Sequence, residues 1–300
     1  MDMTQNKCCR HGANLRRRRR RRRKILRSII FSCSIIAVAV FVAVGSRMIR
    51  SGDGRTNRYD VEAGNNTYDN AVIENSKISE KNKIQNNQSM LDDIMNSTQY
   101  PKQLKDIALK NEEALEFVYD YPAEHVKEHT IDLTEEASMD SVPLFVQWDK
   151  RWGYEKYSGN FFAASGCGPT TLSMVVVYLT HNREASPIAV AKYSKEAGYS
   201  VDGSGSSWTL ISEGCMHYGV KAKAVALDES RMKAELDEGH PIVVNVGPGD
   251  FTDTGHFMVI TGYDDEGFSI NDPNSIEKSG KRWLFRNISS QIRAVWSMYV

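Results

Sequence analysis

Ser165-Gly166-Cys167-Gly168-Pro169-Thr170 runs directly into Thr171-Leu172-Ser173-Met174-Val175-Val176-Val177-Tyr178-Leu179. Leu172, Val175, Val176 and Leu179 recur at the i, i+3, i+4, i+7 spacing of one helix face. Pro169 suits the first turn, where its missing N–H costs no hydrogen bond. Cys167 is therefore expected at or just before a helix N-terminus, where the positive end of the dipole favours a thiolate. Gly166 and Gly168 carry no side chain, so another chain can approach the sulfur there, and both are candidate substrate contacts. A buried structural thiol is the commoner fate of a lone cysteine. A helix start between two glycines favours the nucleophile instead. Cys215 has no such setting and is read as a core thiol.

A nucleophile needs a base. Gly255-His256-Phe257-Met258-Val259-Ile260-Thr261-Gly262-Tyr263 reads as a strand, Asp264-Asp265-Glu266-Gly267 as a turn, and Phe268-Ser269-Ile270-Asn271-Asp272 as a return strand stopped by Pro273. The outcome for His256 and Asp272 depends on register. A three-residue loop with Tyr263 opposite Gly267 sets Asp272 opposite Met258, with His256 its diagonal neighbour on the same face. A two-residue loop sends the pair to opposite faces. In the first case His256 takes the Cys167 proton, and Asp272 fixes the imidazole tautomer and favours its charged form. Gln147 ends the extended run Val142-Pro143-Leu144-Phe145-Val146 and could supply an amide to an oxyanion. Taken alone, an exposed glutamine is the commoner reading.

Outward from this stretch the chain is uneven. All five tryptophans follow residue 147, so a packed core is expected toward the C-terminus. Of the 38 basic and 38 acidic residues, 14 basic ones lie in the first fifty positions, against Asp2 alone. A cationic tail thus precedes an acidic body. The body lacks the clustered Lys and Arg of a nucleic-acid groove, and no nucleic acid partner is expected. Five cysteines, two of them after residue 100, are too few for a disulfide framework. Their spacing gives no metal site, and no cofactor is implied.

Ile29 to Val44 carries no charge. Extended from Ser28 to Gly45 it would span roughly 27 Å as a helix, close to the bilayer core of about 30 Å. Arg16 to Arg23, Lys24 and Arg27 precede it, and the positive-inside rule keeps them cytoplasmic. The expected order is a cytoplasmic basic tail (1–27), a transmembrane signal anchor (28–46), a disordered stalk (47–99), a helical lead-in (100–138) and a folded domain (139–300). Cleavage near Ala43 and Gly45, giving a secreted protein, is the alternative. The stalk reading rests on its Asn, Gln, Ser and Lys content and its few aromatics. In the lead-in, Leu104, Ile107, Leu115 and Val118 have helical spacing, Asn111-Glu112-Glu113 marks a break, and Tyr121-Pro122 a stop.

VPLFVQWDKRWGY, SGCGPTTLSMV, GSGSSWTL, GPGDFTDTGHFMVITGYDDEGF, NDPNS and QIRAVW, in this order, resemble the stand-alone, membrane-anchored branch of the bacterial double-glycine (bacteriocin-processing) cysteine peptidase family, in the papain-like clan. The resemblance runs from about Tyr100 to the C-terminus. It implies an α+β papain-like fold, a thiol protease triad of Cys167, His256 and Asp272, and Gln147 as oxyanion donor. In exporter-linked members the glutamine lies six residues before the cysteine, where this chain has Phe161. The chain also lacks a phosphate-binding loop and a multi-span exporter region, so trimming of double-glycine leaders is not implied. Two loops are expected to shape the cleft: Asp202 to Trp208, which makes Trp208 a candidate substrate contact, and Gly247 to Phe251, which leads to Gly255 and the base. The expected function is hydrolysis of an extracellular peptide or protein through a thioester. Cleavage of peptidoglycan stem peptides in the cell wall and a catalytically silent binding module are the alternatives.

Overall fold

Strand composition and alternation account for the central element. The computed structural model describes residues 66–300, with side chains from residue 79 onward. Two short hairpins, β1 (Lys156–Tyr157) with β2 (Asn160–Phe161) and β3 (Ser200–Val201) with β4 (Gly205–Ser206), precede the main sheet. That sheet contains β5 (Lys221–Ala224), β6 (Ile242–Val246), β7 (His256–Asp264), β8 (Gly267–Asn271), β9 (Arg282–Trp283) and β10 (Ile292–Tyr299). Its order is β5-β10-β6-β7-β8-β9, with every neighbouring pair antiparallel.

All five residues of β6, Ile-Val-Val-Asn-Val, are buried, as a central strand covered on both faces requires. On one face Val243, Phe257, Val259 and Met298 pack with Leu172, Val175 and Val176 of the helix Cys167–Thr180. On the other, Ile242, Val244, Met258, Ile260 and Ile270 pack with Met232 of the helix Glu229–Asp237. The result is an α+β arrangement in which the predicted cysteine helix lies across the predicted histidine strand.

The β7–β8 hairpin resolves the register in an unforeseen way. The loop is the two-residue one: Asp264 pairs with Gly267, Tyr263 with Phe268 and Gly262 with Ser269. Gly267 has φ +134°, and a Cβ there would stand 2.6 Å from the Trp283 carbonyl oxygen, so glycine is required. A β-bulge at Thr261 then shifts the ladder, and Ile260 pairs with Ile270 and Val259 with Asn271. Continued by one pair, this register sets Asp272 against Met258, diagonal to His256. Of the two loop lengths left open by the sequence the shorter one forms, yet the bulge restores the register that the longer loop would have produced.

The N-terminal side also departs from expectation. Asn66–Asn96 is one helix, not a disordered stalk. Its run of Asn, Gln, Ser and Lys offers little to bury, which is why composition suggested a linker. Its last turns nevertheless bury Ile94, with Met90 and Leu91 alongside, in a cluster with Leu104, Ala108, Leu115 and Val118. Tertiary packing of this kind carries most helix stability in proteins. The lead-in forms the helices Lys102–Lys110 and Leu115–Tyr119 with a 3₁₀ turn between them. Asn111 caps that turn by accepting the Glu113 N–H. Tyr121-Pro122 begins a further short helix, Tyr121–Glu124, instead of ending one: the proline occupies the first turn, where no N–H is needed. The basic tail, the apolar span 28–46 and residues 47–65 lie outside the described residues. Among those described, no helix is long and apolar enough to cross a membrane.

Candidate active site

Cys167 is the first residue of its helix and is half-buried. The sequence Gly166-Cys167-Gly168 folds this way because neighbours fill the places where side chains would be. A Cβ on Gly166 would lie 2.5 Å from the Phe162 ring, and one on Gly168 2.5 Å from Ser206 Oγ. The glycines therefore admit the protein's own side chains, not an open approach to the sulfur. Ser206 is held in turn by Tyr157, whose hydroxyl lies 2.6 Å from Ser206 Oγ and 2.8 Å from Ser194 Oγ. Gly255 differs: a Cβ there would meet only the Val246 carbonyl oxygen, 4.0 Å away.

His256 opens β7, and Asp272 lies one residue beyond β8. Asp272 is fully buried and His256 is 6% exposed. His256 Nε2 lies 2.7 Å from Asp272 Oδ1, which also accepts the Asn274 N–H at 2.8 Å. The ring's Nδ1 remains for Cys167, the electrostatic partner of His256 in this site. Cysteine, histidine and aspartate thus stand in one chain of contacts.

The electrostatics follow. Burial of the sulfur opposes its ionisation. The hydrogen bond and positive charge of His256, with the backbone N–H groups of Phe257 and Gly168, outweigh burial and hold the thiol below its ordinary value. Burial likewise opposes the charged imidazole, but the charge and hydrogen bond of Asp272, and the adjacent sulfur, raise His256 above its ordinary value. Both shifts run in the direction of a thiolate–imidazolium pair. Cys215 behaves oppositely: fully buried, its thiol is pushed up to about 11.

Gln147 is 4% exposed, not the surface glutamine that is commoner. Its backbone N–H donates to the Pro273 carbonyl at 2.7 Å, which ties it to the aspartate loop. Its Nε2 donates to the Ala163 carbonyl at 2.7 Å, in the turn just before Cys167. That bond uses one of the two Nε2 hydrogens. Gln147 Oε1, Thr170 Oγ1 and Asp272 Oδ2 are buried without hydrogen-bond partners, and all three belong to the segments that build this site. Buried polar atoms left unpaired are uncommon in folded proteins.

The two expected cleft loops differ from each other. Trp208 is 47% exposed, with its ring edge-on to Trp296 at 6.0 Å. Phe251 is instead buried against Trp283, with ring centroids 4.5 Å apart. Gln291 pins its loop through the Asp250 N–H and carboxylate at 2.7 and 2.6 Å. Sequence reasoning also missed contacts that carry no local signal. These are the N–H groups of Phe257 and Gly168 on the sulfur, Ser206 against Gly168, and Trp148 Nε1 donating to the Asn274 carbonyl at 3.2 Å. Among the described residues no group of three or more metal-ligating side chains occurs.

Solved structures similar to this chain include the peptidase domain of Streptococcus ComA, a bi-functional ABC transporter involved in a quorum-sensing pathway. It is 19% identical, with 53% of this chain and 96% of that one covered and a TM-score of 0.39. Another is a protein described as a C39-like peptidase from Bacillus anthracis, 18% identical, with 53% and 95% covered and a TM-score of 0.33. No curated protein matches the chain. The model of the Peptidase_C39 like family matches residues 139–300, more than half of the sequence and the whole of the segment that holds Cys167, His256, Asp272 and Gln147, and the chain belongs to that family.

Proposed function

We propose that the protein is a papain-like cysteine peptidase whose domain works outside the cytoplasm. One observation carries the chemical part: the buried contact of 2.7 Å between His256 and Asp272, with Cys167, at a helix start, the electrostatic partner of the same imidazole. The Cys167 thiolate attacks a peptide carbonyl carbon, forming a C–S bond. The developing oxyanion is met by the Cys167 backbone N–H and the free amide hydrogen of Gln147. The imidazolium of His256 protonates the leaving amine as the C–N bond breaks, which leaves a thioester and neutral imidazole. Water then gives one proton to His256 and attacks the thioester; the C–S bond breaks, which restores the thiolate, and the acid product gives its remaining proton to solvent and leaves as a carboxylate. Asp272 holds the ring through both halves. Trp208 offers an exposed aromatic face to a substrate side chain. The extracytoplasmic placement is supported by the basic tail ahead of an apolar span.

Cys167→Ala should abolish peptide-bond cleavage by the purified protein while leaving its thermal unfolding midpoint within a few degrees of the parent. Retained cleavage would remove Cys167 from its role. Assaying a peptide library beside purified cell wall, and comparing the released fragments, distinguishes a general peptidase from a wall endopeptidase.

A further inference from the structure

Asp272 orients nothing unless its own loop is held, and residues 272–277 have little regular structure with which to hold themselves. Asp272 is joined to Ser275 by a single isolated β-bridge, and the helix Ile276–Ser279 is one turn long. Gln147, Trp148 and Ser279 hold part of it, through the Pro273 carbonyl, the Asn274 carbonyl and the Asp272 N–H. The rest of the grip comes from the lead-in, more than 150 residues away in sequence and ahead of the segment that the family model matches. One Glu113 carboxylate oxygen accepts the Ser275 hydroxyl. The other accepts the N–H groups of Ile276 at 2.8 Å and Glu277 at 3.0 Å. Asn111 Nδ2 donates to the Asn274 carbonyl at 2.9 Å and lies 3.1 Å from its side-chain oxygen. Asn274 in turn donates its N–H to Asp272 Oδ1, the oxygen that His256 Nε2 meets.

We propose that Glu113, seconded by Asn111, is a positioning residue for the catalytic triad, so that the lead-in segment is a working part of the active site and not a spacer. The proposal rests on the triad reading above. A carboxylate that accepts one O–H and two N–H groups of one short loop is a three-point clamp, and charge-assisted bonds of this kind are the stronger class. Releasing it lets Asn274 and Asp272 drift from His256, and catalysis is sensitive to displacements of about 1 Å. The neighbouring Glu112 makes the natural comparison. Its carboxylate accepts from Asn87 Nδ2 at 2.7 Å.

The test uses the full chain and two readouts, the alkylation rate of Cys167 by iodoacetamide against pH and the cleavage of peptide. In Glu113→Gln and Glu113→Ala, alkylation near pH 6 should slow about tenfold as the thiol returns toward its ordinary range. The acid limb of kcat should move upward with it, and kcat should fall about ten- to a hundredfold with KM little changed. Asn111→Ala should shift the same limb by less. Glu112→Gln should leave both profiles at the parent's. Parent alkylation profiles in both Glu113 variants, whatever their melting temperatures, would overturn the positioning role and leave Glu113 a structural group. Alkylation reports on the Cys167–His256 pair even if no peptide is cut. A shifted profile without any peptidase activity would therefore sink the peptidase reading and spare the clamp.

Discussion

The Asp272 carboxylate decides how wide a pH window the site can use. The working state has the thiol ionised and the imidazole charged. Activity should rise as pH passes the lowered thiol value and fall as pH passes the raised imidazolium value. Asp272→Asn removes the charge that favours imidazolium, so His256 loses its proton at lower pH and the alkaline limb moves down. The thiolate then loses part of its counter-charge, and the acid limb moves up. Each limb should shift by about one pH unit, within the range for removal of an adjacent opposite charge. The measurement is kcat/KM against pH for parent and variant, and an unchanged alkaline limb would count against Asp272 as the source of the shift. His256 and Asp272 were legible as residue types at element ends. The burial of Gln147 was not, because nothing local in Val146-Gln147-Trp148 shows that Ala163 and Pro273 close over it.

At the scale of elements, the nucleophile helix and the β3–β4 hairpin are fitted through one glycine. Gly168→Ala improves helix propensity by about 1 kcal/mol. It also drives a methyl group to within 2.5 Å of Ser206 Oγ and 2.8 Å of its Cβ. Overpacking of this kind costs about 1–3 kcal/mol, so the clash should outweigh the propensity. The single variant should unfold at lower denaturant concentration than the parent. The double variant Gly168→Ala with Ser206→Gly should recover most of that loss, and no recovery would show that the strain lies elsewhere. The cysteine helix itself was readable from its apolar spacing and proline. The hairpin that abuts it was seen only as a glycine- and serine-rich loop, since four strand residues leave no period to detect.

For the molecule as a whole, the structure makes the lead-in and the family domain parts of one packed body. Phe161 and Ala163, just ahead of Cys167, share a buried cluster with Ile94, Leu104, Leu115 and Val118. Leu104→Ala empties a fully buried site in that cluster and should cost about 2–5 kcal/mol. Thermal unfolding should show one transition, moved to lower temperature. A separate early transition with the main one unmoved would mean that the lead-in unfolds apart from the domain. The polar helix Asn66–Asn96 defeated compositional reading because the apolar anchors among its described side chains, Met90, Leu91 and Ile94, sit in its last two turns and depend on partners further along the chain.

The sequence by itself determined the local features: a cysteine at a helix start, a histidine strand, a hairpin turn, an aspartate before a proline, and a strongly cationic N-terminus ahead of an apolar run. Each is written in residues a few positions apart, within reach of periodicity, capping and turn chemistry. Only the tertiary structure decided whether those parts meet. A two-residue turn alone would have parted His256 from Asp272. The bulge at Thr261 brings them back together, because the register beyond it pairs Ile260 with Ile270, both buried in one apolar cluster. The hold of Glu113 on residues 275–277 likewise had no signature in either segment, since it exists only where the fold places two distant loops at hydrogen-bonding distance.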